Sequence, residues 1–117
     1  MEFRYTTEDK EDYIVFAITG SLMEKSQARV FLDEVEELLL RDVNRFVVDM
    51  SGITYLNSSG LNVLINLLAK ARRSGGEVVI CSVPQKIKEL LLITKLNTVF
   101  IVTESVDEGV EKIMMQD

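Results

Sequence analysis

The chain has 117 residues, of which 47% are hydrophobic and 27% charged, and this composition is typical of a soluble globular protein with one modest core. We therefore predict a single domain over residues 1–117. The net charge is −6, with acidic and basic residues mixed along the chain, which argues against the basic stripe of a nucleic-acid-binding surface.

The absence of histidine and the presence of one cysteine narrow the possible functions. Without histidine there is no Ser-His-Asp triad and no phosphohistidine relay, and a zinc site would have only carboxylates and one thiol. Cys81 alone permits no internal disulfide, and because it lies in an apolar run we expect a buried, inert thiol. We find no signal peptide and no run of about 20 apolar residues, so we expect a cytoplasmic protein without membrane insertion.

The first elements that we predict are two strands and a helix. Alternating residues at 3–7 predict a half-exposed strand, and the apolar run at 13–18 predicts a more deeply buried one. The charged residues 8–12 between them indicate an antiparallel hairpin. Residues 20–23 close the second strand, and apolar residues spaced by three and four predict a helix over 26–41.

The centre of the chain begins with a short apolar run at residues 46–48, which predicts a buried strand. Asp49, Ser51 and Gly52 favour turns, and we expect them to end this strand. A loop then leads to a helix.

Four small or polar residues mark the start of that helix: Asn57, Ser58, Ser59 and Gly60. The helical spacing of apolar residues begins at residue 61 and ends near residue 73. The first N–H groups of a helix have no internal acceptor, and the helix dipole adds partial positive charge there. A phosphoserine at this point would place a charge of about −1.5 to −2 next to those N–H groups. On local sequence alone, the better interpretation is that Asn57, Ser58 or Ser59 is only the N-cap.

The rest of the chain continues to alternate strand and helix. We predict a strand over 77–83, a helix beginning at Pro84, a strand over 99–102 and a helix capped by Ser105. The order β-β-α-β-α-β-α-β-α predicts an α/β fold with a mixed sheet, in which an antiparallel hairpin is followed by parallel strands. Because sites in such sheets gather beyond the carboxyl ends of strands, we expect the loops at 20–23 and 57–58 on one edge.

Residues 49–61 read Asp-Met-Ser-Gly-Ile-Thr-Tyr-Leu-Asn-Ser-Ser-Gly-Leu, and this run resembles the central motif of the STAS domain. The chain is most similar to bacterial anti-sigma factor antagonists, whose motif is Asp-Leu-Ser, a few apolar residues, and Asp-Ser-Ser-Gly-Leu or Asp-Ser-Thr-Gly-Leu. Residues 20–22 resemble the family's Gly-Glu-Leu-Asp, and residues 75–77 resemble its Gly-Gly turn before a strand. The resemblance covers nearly the whole chain.

The resemblance implies a regulatory binding protein with no enzymatic activity and no cofactor. In that family the first serine of the Ser-Ser pair, Ser58 here, is phosphorylated by a partner that is both a serine kinase and an anti-sigma factor. The dephosphorylated protein binds this partner and frees the sigma factor, and the phosphorylated protein is released until a serine phosphatase resets it. The expected partner-binding residues are Met23, Asn57, Ser58, Ser59 and Gly60.

Two residues depart from the family pattern and keep an alternative open. Asn57 stands where the family usually has Asp, and Met23 stands where Gly-Glu-Leu-Asp would place an acid. Both changes remove negative charge beside Ser58. They favour a STAS adaptor that is not phosphorylated, such as the small cytosolic subunit of an ATP-binding-cassette complex for lipid transport. Met23 itself is predicted either to extend an apolar contact patch or to lie at the edge of the core.

A third interpretation is an enzyme that uses Ser58 as its nucleophile. The chain contains no Gly-x-Ser-x-Gly elbow, no Walker loop and no histidine base, so we give this interpretation little weight. The sequence leaves the oligomeric state open.

Overall fold

The computed structural model describes residues 2–115, which form a five-stranded sheet with helices on both faces. The strands are β1 (Phe3–Asp9), β2 (Ile14–Leu22), β3 (Arg45–Leu56), β4 (Glu77–Cys81) and β5 (Ile101–Thr103). The helices are α1 (Arg29–Leu40), α2 (Ser58–Arg73), α3 (Gln85–Ile93) and α4 (Val106–Met114). Short 3-10 helices at Lys25–Ala28 and Leu96–Thr98 precede α1 and β5.

The strands lie in chain order across the sheet. β1 and β2 form an antiparallel hairpin that closes at the Asp9–Ile14 pair, whereas β2, β3, β4 and β5 are parallel to one another. The predicted α/β class, the mixed sheet and the order of elements are confirmed.

Most of the core lies between the sheet and the helices α1, α2 and α3. Three phenylalanines pack at its centre, with ring centroids 4.8 Å apart for Phe16 and Phe31 and 5.6 Å apart for Phe16 and Phe46. Because side chains alternate along a strand, Val47 lies on the opposite face of the sheet from Phe46. There it packs under α4 in a smaller apolar cluster whose other buried members are Val15, Val79, Cys81 and Ile113.

The prediction that Asp49, Ser51 and Gly52 end the central strand was wrong. β3 continues through all three residues, and Asp49 pairs with Ala17 on β2 while Gly52 pairs with Thr19. Ladder bonds to a neighbouring strand outweigh the turn preference of these residues. The second strand also runs longer than predicted, to residue 22, because it pairs with this extended half of β3.

The remaining boundaries differ by a few residues. The predicted helix over 26–41 begins as the 3-10 helix, and α1 itself starts at Arg29. β4 ends at Cys81, which is fully buried as expected. Over residues 2–115 no helix has the length and apolar character needed to cross a membrane.

Candidate functional site

Two loops leave the same edge of the sheet side by side. β2 and β3 are parallel, and their last paired residues are Leu22 and Leu56. The chain after Leu22 leads into the 3-10 helix, and the chain after Leu56 leads into α2. The segments at 20–23 and 57–58 therefore lie at one edge as expected, but residues 20–22 belong to β2 and Ser58 to α2, so the loops are shorter than predicted.

Asn57 is the N-cap of α2. Its backbone is extended, and its side-chain Oδ1 accepts a hydrogen bond from the Gly60 N–H at 2.9 Å. Ser58 and Ser59 are therefore the first two residues of the helix, and both side chains are exposed. The cap is thus neither serine, and the hydroxyl of Ser58 is not used to start the helix.

The same Asn57 side chain also joins the two loops. Its Nδ2 donates a hydrogen bond to the main-chain carbonyl oxygen of Met23 at 3.0 Å. One amide therefore fixes the start of α2 and holds the end of the β2 loop against it.

Gln27 fixes the same loop from its other side, and the sequence analysis did not identify this residue. Its Oε1 accepts hydrogen bonds from the N–H groups of Met23 at 2.8 Å and Glu24 at 3.0 Å, and its Nε2 donates to the Ser21 carbonyl at 3.2 Å. The sequence did contain a signal: Glu24 precedes the 3-10 helix and Gln27 follows three residues later, which is the spacing of a capping box. Because Glu is not among the usual cap residues, this pattern is easily missed.

Gly60 lets α2 approach the end of β2. It is buried, and a Cβ atom built on it would lie 2.2 Å from the carbonyl oxygen of Leu22. A side chain here would push the helix away from the strand end. Gly60 is therefore part of the site through its lack of a side chain.

The electrostatic setting of Ser58 is positive and polar. The N–H groups of Ser58 and Ser59 point out of the first turn of α2, where the helix dipole places partial positive charge. No acidic residue lies in that turn, and the cap, Asn57, is uncharged. An anionic group on the Ser58 hydroxyl would be stabilised by this end of the helix.

Apolar side chains are exposed beside this edge. Met23 is 38% exposed and Tyr55 is 58% exposed. Met23 is thus partly covered and partly exposed, and both its interpretations, contact patch and core edge, stay predictions. Tyr55 pairs with Ser21 across the β2–β3 ladder and was not singled out from the sequence. A tyrosine three residues before Ser58 was the available signal, because exposed aromatic side chains are common anchors in protein interfaces.

Residues 2–115 contain one thiol and no cluster of metal ligands. No group of three or more His, Cys, Asp or Glu side chains in residues 2–115 could hold a metal ion. Burial raises the pKa of Cys81 to about 12, and the carboxylate of Asp49 adds to the rise, so this thiol is a poor nucleophile near neutral pH. What this edge offers is an exposed hydroxyl at the N-terminal end of a helix, with the exposed side chains of Met23 and Tyr55 on the adjoining segments.

Comparisons of the chain with known proteins agree on one family of domains. The family model described as the STAS domain matches residues 4–109. The chain is 25% identical over 99 residues to BtrV of Bordetella bronchiseptica, whose name places it among the anti-sigma factor antagonists, and the match covers 85% of each chain.

Solved structures share the fold. A crystal structure from Thermotoga maritima, titled as an anti-sigma factor antagonist, superposes with a TM-score of 0.84 at 22% identity over 94% of each chain. The Bacillus protein SpoIIAA in its phosphorylated form superposes with a TM-score of 0.73 at 10% identity, over 94% of this chain and 99% of that one.

Proposed function

The chain belongs to the STAS domain family, and we propose that it is an anti-sigma factor antagonist whose partner choice is switched by phosphorylation of Ser58. In its dephosphorylated state it binds an anti-sigma factor that is also a serine kinase. Phosphorylation of Ser58 releases it, and a serine phosphatase returns it to the binding state. The observation that carries this proposal is the exposed Ser58 hydroxyl in the first turn of α2, left free of the capping role by Asn57.

A phosphate on Ser58 is compatible with the folded domain. It would add a charge of about −1.5 to −2 next to N–H groups that have no helical acceptor. Ser58 is an exposed residue and takes no part in capping α2, so a phosphate on its hydroxyl can project from the surface of the domain. The modification would therefore act on the surface and leave the fold in place.

The same phosphate would disrupt a close interface. We place the partner contact on Met23, Ser58 and Ser59, with Asn57 and Gly60 shaping the backbone beneath them. An unpaired charge buried in such an interface costs about 3–5 kcal/mol, and about 1.4 kcal/mol already changes the affinity tenfold. One phosphate is therefore enough to exchange one partner for another.

The names of two similar proteins support this proposal. BtrV carries the anti-sigma factor antagonist name, and SpoIIAA is known in a phosphorylated form. We propose binding rather than catalysis as the activity, because the chain has no histidine to act as a base for a serine nucleophile. The proposed partners are cytoplasmic, and we expect this protein in the same compartment.

A second candidate is the adaptor that is not phosphorylated, such as a subunit of a lipid-transport ATP-binding-cassette complex. One observation favours it: neither Met23 nor Asn57 brings negative charge to Ser58, and the Asn57 amide makes two structural hydrogen bonds instead. In this case Ser58 would be an exposed helix residue without a regulatory role.

Mapping of phosphorylation sites separates the two candidates. The purified protein, Ser58→Ala and Ser59→Ala would each be incubated with Mg-ATP and lysate of the source organism, and modified peptides quantified by mass spectrometry. We expect phosphate on Ser58 in the unaltered chain and in Ser59→Ala, and none at this turn in Ser58→Ala. Phosphate confined to Ser59, or no phosphate in this turn, would contradict the proposed acceptor.

A further inference from the structure

A surface groove of about 500 Å³ lies between α1 and α2. One wall is formed by the 3-10 helix Lys25–Ala28 and by α1 from Arg29 to Glu36, and the other by the second half of α2. An ion pair between Glu36 on α1 and Lys70 on α2 crosses it. The groove is separate from the serine turn at the start of α2.

The groove is positively charged although the chain carries a net charge of −6. Its lining includes four basic side chains and two acidic ones: Lys25, Arg29, Lys70, Arg73, Asp33 and Glu36. Among residues 2–115, Lys70 is the one of the four cations with a carboxylate partner. Within that range, Lys25, Arg29 and Arg73 thus have no carboxylate partner, so their charges are available to an anionic ligand.

The groove lining on α2 is a stripe with Asn66 at one end and the cations Lys70 and Arg73 at the other. Asn66, Lys70 and Arg73 are spaced by four and three residues, so they form one stripe along α2. At 1.5 Å per residue this stripe is about 10 Å long. Lys25 and Arg29 line the opposite wall. An extended acidic segment lying along the groove could contact the cations of both walls.

The groove continues into an apolar end. A second depression of about 260 Å³ shares Glu36, Lys70 and Arg73 with it and adds Leu39, Leu40 and Ser74. Leu40 is 85% exposed, although it is a large aliphatic side chain. A ligand that follows the charged stripe would therefore place an apolar side chain at this end.

We propose that the groove binds an acidic peptide segment of a partner protein. Carboxylates of the segment face Lys25, Arg29 and Arg73, and an apolar side chain of the segment covers Leu40. Charge complementarity and the length of the groove identify this occupant. The proposal goes beyond the switch at Ser58 and stands even if Ser58 is never modified.

Titration of the ¹⁵N-labelled protein with a synthetic peptide of glutamates and one leucine tests the site. We expect amide shifts at Arg29, Asn66 and Arg73 that weaken with added salt. Arg29→Glu/Arg73→Glu should lower the affinity at least about tenfold. The matched control is Lys86→Glu/Lys95→Glu, which reverses two exposed charges outside the groove and should change the affinity less than about twofold.

Three results would overturn the proposal. The first is an absence of shifts in the groove, or shifts confined to another surface. The second is an equal loss of affinity in the two double variants, which would mean non-specific attraction. The third is inorganic pyrophosphate binding as tightly as the peptide, which would make the groove a site for a compact anion.

Discussion

The side-chain nitrogen of Asn57 donates a hydrogen bond to the carbonyl oxygen of Met23 across 3.0 Å. The oxygen of the same amide caps α2 by accepting from the Gly60 N–H at 2.9 Å. An asparagine can donate and accept at once, whereas an ionised aspartate can only accept. This chain therefore uses Asn57 to hold two loops together, which an aspartate at the same position could not do by the same bond.

We predict that Asn57→Asp keeps the helix cap and loses the bond to Met23. A carboxylate would then face a carbonyl oxygen, and the free energy of unfolding should fall by about 1–2 kcal/mol, less any gain from the helix dipole. Asn57→Ala loses both hydrogen bonds, and its free energy of unfolding should fall further. Urea denaturation of the three proteins measures the difference. An aspartate variant at least as stable as the unaltered chain would contradict this prediction.

Gly60→Ala should destabilise the protein although alanine favours helices. The new Cβ would lie 2.2 Å from the Leu22 carbonyl oxygen, and this backbone atom cannot move without the strand. We expect a loss of about 3 kcal/mol, at the upper end for overpacking. Gly109→Ala is the matched control, because its Cβ would meet side chains of Val47 and Thr103 at 3.1 and 3.3 Å, which can adjust. Thermal unfolding that ranks Gly109→Ala as the more damaging change would contradict this explanation.

Cys81 should make stability fall in alkaline solution. Burial, aided by the charge of Asp49, raises the pKa of this thiol from 9.0 to about 12. The unfolded chain therefore loses the thiol proton at a lower pH than the folded chain does. The stabilising contribution is complete below pH 9.0 and is lost as the pH rises from 9.0 toward about 12.

The control for this effect is Cys81→Ala, which removes the thiol and leaves the other alkaline titrations unchanged. We expect the free energy of unfolding to fall less steeply with pH in this variant than in the unaltered chain above pH 9.0. Equal slopes for the two proteins would mean that the thiol ionises alike in the folded and unfolded states.

The sequence predicted the order of elements well because periodicity reports directly on which residues are buried. Val47 and Val48, for example, point to opposite faces of the sheet and are both covered, so an unbroken apolar run was the correct sign of a central strand. The second half of β3 could not be predicted in this way. Its turn-forming residues Asp49 and Gly52 are held extended by partners on β2 more than 30 positions earlier, and local preference carries no information about them.

The candidate site was likewise predictable from local sequence in part, while the rest depends on contacts between distant segments. The change from strand to helix placed Ser58 and Ser59 at a helix start, and that inference needed only local pattern. Asn57 was one of three candidate caps, and its hydrogen bond from the Gly60 N–H identifies it as the cap. The roles of Gln27 and of the bond to Met23 depend on how two loops meet in space, so no pattern within either loop could reveal them.

Quantitative affinity purification decides whether charge at Ser58 controls partner choice. The baits are the unaltered chain, Ser58→Ala, Ser58→Asp and Ser105→Asp, each exposed to lysate of the source organism. Ser105 caps α4, so Ser105→Asp adds the same charge at another helix N-terminus while an aspartate can still cap.

We expect the unaltered chain, Ser58→Ala and Ser105→Asp to retain a serine kinase that is also an anti-sigma factor, and Ser58→Asp to retain at least about tenfold less. Equal retention of that partner by Ser58→Asp, or retention of a transport ATPase by all four baits, would contradict the switch and leave Ser58 without a regulatory role.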